Sequence, residues 1–141
     1  MNEIIFSIVM LFQVSNGNVF STATGFFYES NGRIFLITNR HVVNYSTTDA
    51  TAKLVVKIHT NKTDLSKFKT VEIPLVKDRK ITWLGYSNPE IDVVAIPMEN
   101  IDISNTVINT LSNKNFPPQG LELEFLNHNH KEFDTELNEW N

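Results

Sequence analysis

The sequence contains no cysteine. That excludes a disulfide scaffold, a thiolate metal centre and a thiol nucleophile together. Basic residues are few, with 12 Lys and Arg against 16 Asp and Glu and a net charge of −4. They form no stripe, so nucleic-acid binding lacks its electrostatic footprint. Long apolar runs are missing too. IIFSIVMLF (4–12) is too short to cross a bilayer, follows Glu3 rather than a basic residue, and leads into QVSNGNVF without a small-x-small cleavage pattern. It reads as a core strand. The expected compartment is therefore the cytoplasm, with no membrane partner.

What is present suits one globular domain. The chain has 141 residues, of which 41% are apolar and 20% charged, enough to bury a core and unremarkable in balance. Residues 4–14 and 19–28 are β-branched and aromatic, and SNGN (15–18) joins them. Asn-Gly is the strongest short hairpin signal. ESNGR (29–33) repeats it before the strand Ile34–Thr38. HVVNYS (41–46) lacks alternation and reads as a short helical turn. KLVVKIHT (53–60) and FKTVEIPLV (68–76) alternate, with polar NKTDLSK between them as an exposed loop. KITWL (80–84) and the apolar IDVVAIPM (91–98) complete about seven short strands. Short strands with frequent turns indicate an all-β barrel or sandwich.

Beyond residue 100 the pattern fades. Residues 101–120 read as a linker, stiffened by FPPQG (116–120). Residues 121–141 carry six acidic residues and a single lysine, leaving the first 120 close to neutral. LELEFL (121–126) alternates like one strand, and Phe133, Leu137 and Trp140 share one face of a helix. This segment is an acidic tail or the stub of a second domain. HNH (128–130) offers two ligands without a third, so no metal site and no cofactor is expected. His59 reads as structural or exposed, and Trp83 and Phe26 as core residues.

Two positions suit chemistry. His41 ends the run FLITNRHVV, and Asp92 opens IDVVAIPM. Acyl transfer needs an imidazole that takes a proton from a nucleophile and returns it to the leaving group. It also needs a carboxylate that fixes the imidazole tautomer. Both belong on stiff elements, because small misplacements are costly.

The surrounding residues carry a likeness. ATGFFYESNGRIFLITNRHVV (23–43) resembles the trypsin-like serine peptidases, in which a small-Thr-Gly-Phe strand and an apolar strand lead to Thr-Asn-x-His-Val-Val. PEIDVVAIPM (89–98) resembles that family's Asp-opened strand, with Asp92 lying 51 residues after His41. The resemblance covers about residues 4 to 100, the first of the family's two barrels. It implies a six-stranded antiparallel Greek-key barrel over residues 1–100, followed by a short C-terminal extension. It implies His41 as general base and Asp92 as the acid that orients it. It also implies that Thr38 and Asn39 shape the turn and that Gly25 lies where strands pack closely. Ala23 stands where the family most often has glycine.

The family's nucleophile is not visible. After Asp92 the serines are Ser104 and Ser112, neither beside a glycine, and Gly120 is the last glycine. GLELEFLNHN (120–129) resembles the opening strand of the family's second barrel. The expectation is thus the N-terminal half of a serine endopeptidase, inactive alone, acting on a protein or peptide substrate once a complementing second-barrel segment is supplied. Substrate-binding residues are not readable. The alternative is a non-catalytic, protease-like binding module that uses the exposed inter-barrel face, with self-association as one outcome.

Overall fold

The computed structural model describes residues 8–111. The chain opens with three antiparallel strands, β1 (Ile8–Ser15), β2 (Asn18–Ser30) and β3 (Arg33–Thr38). Both connections are two-residue Asn-Gly turns, with φ of 51° at Asn16 and Asn31 and 78° at Gly17 and Gly32. Two successive positive φ values define the type I′ turn, whose twist matches that of the strands it joins. They are why Asn-Gly stands at each tip.

A short helix α1 (Arg40–Val43) and a 3-10 turn (Asn44–Thr47) follow β3 directly. Then come β4 (Lys53–His59), β5 (Phe68–Pro74), β6 (Val76–Lys77), β7 (Lys80–Ile81), β8 (Leu84–Gly85) and β9 (Val94–Pro97). One seven-stranded antiparallel sheet runs in the order β5-β4-β1-β2-β3-β9-β8, and β6 pairs with β7 separately. The protein is thus all-β with one short helix. The expected barrel is not closed: no ladder joins β5 to β8 among the described residues.

Local chemistry explains the extra breaks. Pro74 has no N–H with which to extend β5. The next residue, Leu75, is fully buried and gives its N–H to Ala52 O at 3.0 Å. Thr82 gives its N–H to Leu75 O and its hydroxyl to Pro74 O. The runs read as 68–76 and 80–84 are therefore each split in two. IDVVAIPM also pairs later than its apolar run suggests, from Val94 onward. The carbonyls of Ile91 and Asp92 face side chains of the 39–40 turn instead of a neighbouring strand.

One core cluster draws on strands from β5 across to β9, with Val71 and Ile73 of β5 beside Leu54, Leu11, Phe27, Leu36 and Ile96. Burying each such side chain contributes about 1.5–3 kcal/mol. A second cluster, Phe35, Ile37, Tyr28, Leu84 and Ala95, lies on the other face of β3. This strand is buried on both faces, which is why RIFLIT reads as a continuous apolar run rather than an alternating one. At Gly25 a Cβ would stand 2.8 Å from Ile37 O, so the approach of β2 to β3 requires glycine. Trp83 is buried as expected, whereas Phe26 is partly buried against the second cluster. His59 ends β4 with its ring 4.5 Å from that of Phe68.

Residues 101–111 run along the sheet. Ile101, Ile103 and Ile108 pack on the main core, and Leu111 bridges to Tyr28. The strand read at 121–126, the helix read at 131–140, the HNH pair and Ser112 lie outside the described residues, as do positions 1–7. Among the described residues no helix is long and apolar enough to cross a membrane.

Candidate active site

The site is built where β3 ends. Thr38, the last residue of β3, is buried and donates its hydroxyl to Thr24 O at 2.9 Å, fixing the exit of the strand. Asn39 turns the chain with extended φ and ψ of −84° and 148°, and helix α1 begins at once. Val42 and Val43 are buried on its inner side. The two valines after the histidine seat the turn in the core and leave His41 outside. Gln13 donates to Val42 O at 3.0 Å, and Ser46 accepts the buried Trp83 Nε1–H at 2.8 Å. The Tyr45 hydroxyl accepts Val14 N–H at 3.2 Å and lies 2.9 Å from Lys53 O. The helical turn is thereby tied to β1, β4 and the 83–85 segment.

His41 and Asp92 meet. His41 Nδ1 lies 2.7 Å from Asp92 Oδ2, and the His41 backbone N–H donates to Asp92 Oδ1 at 2.9 Å. The two carboxylate oxygens are engaged separately, one by the ring and one by the main chain. This orients the carboxylate as well as placing it. A carboxylate at Nδ1 favours the neutral tautomer with its proton there, leaving Nε2 as the acceptor. The His41 side chain is 71% exposed and that of Asp92 48%, so a reactant can reach the ring.

Opposing causes act on Asp92. Partial desolvation, the largest single cause, raises its pKa. The His41 ring hydrogen bond, the His41 N–H, the His41 charge and the Arg40 backbone all lower it. Together they prevail, and the carboxyl lies below its ordinary value.

The two neighbours of His41 also reach the 91–92 segment. Asn39 Nδ2 donates to Asp92 O at 2.8 Å. Arg40 Nε donates to Ile91 O at 3.2 Å, and Arg40 Nη2 to Tyr86 O at 2.6 Å. Three consecutive residues thus bind two consecutive residues some fifty positions later. The Asn39 side chain holds Asp92 and makes no side-chain cap bond to α1. The part played by Arg40 was not legible in sequence, where one arginine in a polar turn reads as solvated.

Two described serines are engaged elsewhere. Ser46 is buried, donates to Val43 O and accepts from Trp83. Ser104 lies in a turn closed by Asp102, its carbonyl accepting from Lys69 of β5, at the opposite end of the strand order from β9. Among the described residues no hydrogen bond joins a serine to His41, and no group of three or more His, Asp or Glu could hold a metal. A cavity of about 560 Å³ opens beside the β6–β7 turn, against Pro97 and Ile101, and touches neither His41 nor Asp92.

Compared with protein-family models, with curated proteins and with solved structures, the chain matches none. The functional reading therefore stands on the motifs and on the geometry around His41.

Proposed function

We propose that the first hundred residues are the first barrel of a trypsin-like serine endopeptidase, supplying its general base, His41, and its orienting acid, Asp92. One observation carries this reading: the Asp92 carboxylate engages both the ring and the backbone N–H of His41, while the ring stays open to solvent. A histidine that served only the fold would gain little from so exposed a pair, since exposed ion pairs contribute about 0–1 kcal/mol.

The topology favours the same reading. The order β4-β1-β2-β3 is that of a Greek key. The β6–β7 ladder lies in sequence between β5 and β8, and Thr82 N–H reaches Leu75 O beside it; closure of the sheet along this seam into a six-stranded barrel is part of the proposal.

The reaction follows from the tautomer. His41 Nε2 takes the proton of a serine hydroxyl as its oxygen adds to the peptide carbonyl carbon. The same proton then goes to the leaving amine as the C–N bond breaks. Asp92 stabilises the imidazolium formed in between, and a water repeats the sequence to release the acyl group. The serine and the oxyanion donors belong to a complementing second-barrel segment, so residues 1–141 alone hydrolyse no peptide. The binding-module alternative has exposed apolar side chains in its favour, among them Met10, Val19 and Phe20. It leaves the engagement of Asp92 by residues 39–41 without a purpose.

The test begins with the coding sequence past Asn141, read in every frame for a glycine-flanked serine. The polypeptide that includes it is then assayed on a peptide library. Hydrolysis is expected, lower by about 10⁴-fold in kcat for Asp92→Asn and lost for His41→Ala. Absence of such a segment in any frame, or hydrolysis unchanged in both variants, defeats the reading.

A further inference from the structure

The Arg40 side chain is half-buried, and its surroundings are specific. Its Nε and Nη2 take two different carbonyls, Ile91 O and Tyr86 O, at the two ends of one loop. Its guanidinium lies 5.6 Å from the Trp83 ring centroid, within cation–π range. The seat is cut to fit: a Cβ at Gly85 would stand 2.6 Å from Nη2 and 3.1 Å from Cζ. Trp83 is itself fixed by Ser46. Arg40 therefore joins a rigid wall to the peptide immediately before Asp92, while Asn39 holds the carbonyl immediately after it.

From this geometry we infer that Arg40 is a positioning residue that sets the orientation of the Asp92 carboxylate toward His41, and that Gly85 is glycine to admit its guanidinium. The inference rests on the base-and-acid reading above. A fork with several donors in one plane can hold two carbonyls at once, whereas a lysine ammonium acts as a flexible point charge. The identity of the residue before His41 thus bears on the chemistry through geometry rather than through charge.

The readout is the His41 tautomer, obtained from ¹⁵N resonances of the imidazole at a pH where the ring is neutral. Amide resonances of β4 and β5 at their wild-type positions show that each variant is folded. A merely structural role would lower the folded fraction without changing the tautomer within it. In the wild type the Nδ1–H form should dominate, and in Asp92→Ala that preference should be lost. Arg40→Ala and Arg40→Lys should move most of the way to the Asp92→Ala spectrum. Gly85→Ala, which leaves the arginine in place but fills its seat, should do the same. Arg40→Ala with Gly85→Ala should add nothing to either single change, because the two act on one contact.

A wild-type spectrum in both Arg40→Ala and Gly85→Ala overturns the positioning role and leaves the His41–Asp92 reading intact. A wild-type spectrum in Arg40→Lys alone overturns the geometric form of the inference and shows that charge suffices. Identical spectra for wild type and Asp92→Ala overturn the base-and-acid reading itself, and the positioning role with it.

Discussion

Two polar loops of similar length leave this sheet, and they are held in opposite ways. The 60–67 loop, between β4 and β5, satisfies itself. Asn61 Oδ1 accepts from the N–H groups of Thr63 and Asp64, Asp64 Oδ1 accepts from Ser66, and Thr60 N–H reaches Lys67 O. The 86–92 loop, between β8 and β9, has local closure around Asn88, whose Oδ1 accepts from Glu90 N–H and whose carbonyl accepts from Ile91 N–H. It is otherwise pinned by Asn39, Arg40 and His41, 46 to 53 positions earlier in the chain. Side-chain bonds to neighbouring backbone are the ordinary means of finishing a turn. Bonds that reach across the fold to three successive groups fix the position of something, and here that is a carboxylate. The contrast separates a loop that connects from a loop that delivers.

The wall beneath the pinned loop is where the contrast should break most visibly. Trp83 packs in the core, bonds Ser46 and underlies Arg40. Trp83→Ala should cost about 3–5 kcal/mol, as large-to-small core changes do. Trp83→Phe keeps most of the packing but leaves Ser46 without its indole donor, at about 1–3 kcal/mol. Urea unfolding gives both values. Hydrogen exchange on Trp83→Phe should show faster opening of residues 86–92 than of 60–67. Equal acceleration of the two loops would mean that the wall supports the fold in general and not the Asp92 side in particular.

Much of this architecture is legible in the residues. The two Asn-Gly tips, the buried run Ile34–Thr38 and the alternation over 53–59 follow from local rules that the structure obeys at those positions. The approach of His41 to Asp92 is legible only through the likeness of two motifs, because nothing in the composition of residues 42–91 says where the chain returns. What stays hidden is long-range and directional. Burial on both faces makes 91–98 look like one strand, yet the carbonyls of Ile91 and Asp92 are taken by side chains and pairing waits until Val94. The glycine at position 85 has no turn to explain it, and what a Cβ there would meet is a guanidinium supplied by residue 40. Periodicity reports which face a residue occupies. It does not report which distant side chain will meet its backbone.

A smaller pair of substitutions sharpens the comparison directly. Asn39→Ala removes the donor to Asp92 O, and Asn61→Ala removes the acceptor that closes the other loop. Asn39→Ala should cost about 0.5–1.5 kcal/mol, the usual net value of one hydrogen bond, and Asn61→Ala, whose Oδ1 accepts from two N–H groups and a hydroxyl, at least as much. Their reach should differ. Exchange in Asn39→Ala should quicken over 86–92, fifty residues from the change, and exchange in Asn61→Ala should quicken only over 60–67. A purely local response to Asn39→Ala would reduce its contact to a surface embellishment.

The finest distinction lies in acid titration. Asp64 and Asp92 both have pKa values below the ordinary 3.8, for different reasons. At Asp64 the first cause is the Ser66 hydroxyl and the second the Ser66 N–H, both within its own turn. At Asp92 desolvation works upward, and the lowering comes chiefly from the ring, backbone and charge of His41, with Arg40 behind them. A carboxyl depressed in the folded state stabilises the fold above its unfolded pKa, and that contribution is lost as pH falls through the folded one. Both residues therefore stabilise the protein fully at neutral pH, and both contributions fade below about pH 4. His41→Ala takes away the ring and its charge while keeping the backbone donor. Carboxyl ¹³C titration of that variant should show the Asp92 midpoint rising while that of Asp64 stays fixed. Its acid unfolding should begin at slightly higher pH than in the wild type. Parallel movement of both midpoints would erase the difference between the loops, and a stationary Asp92 would show that the main-chain N–H alone holds the carboxylate.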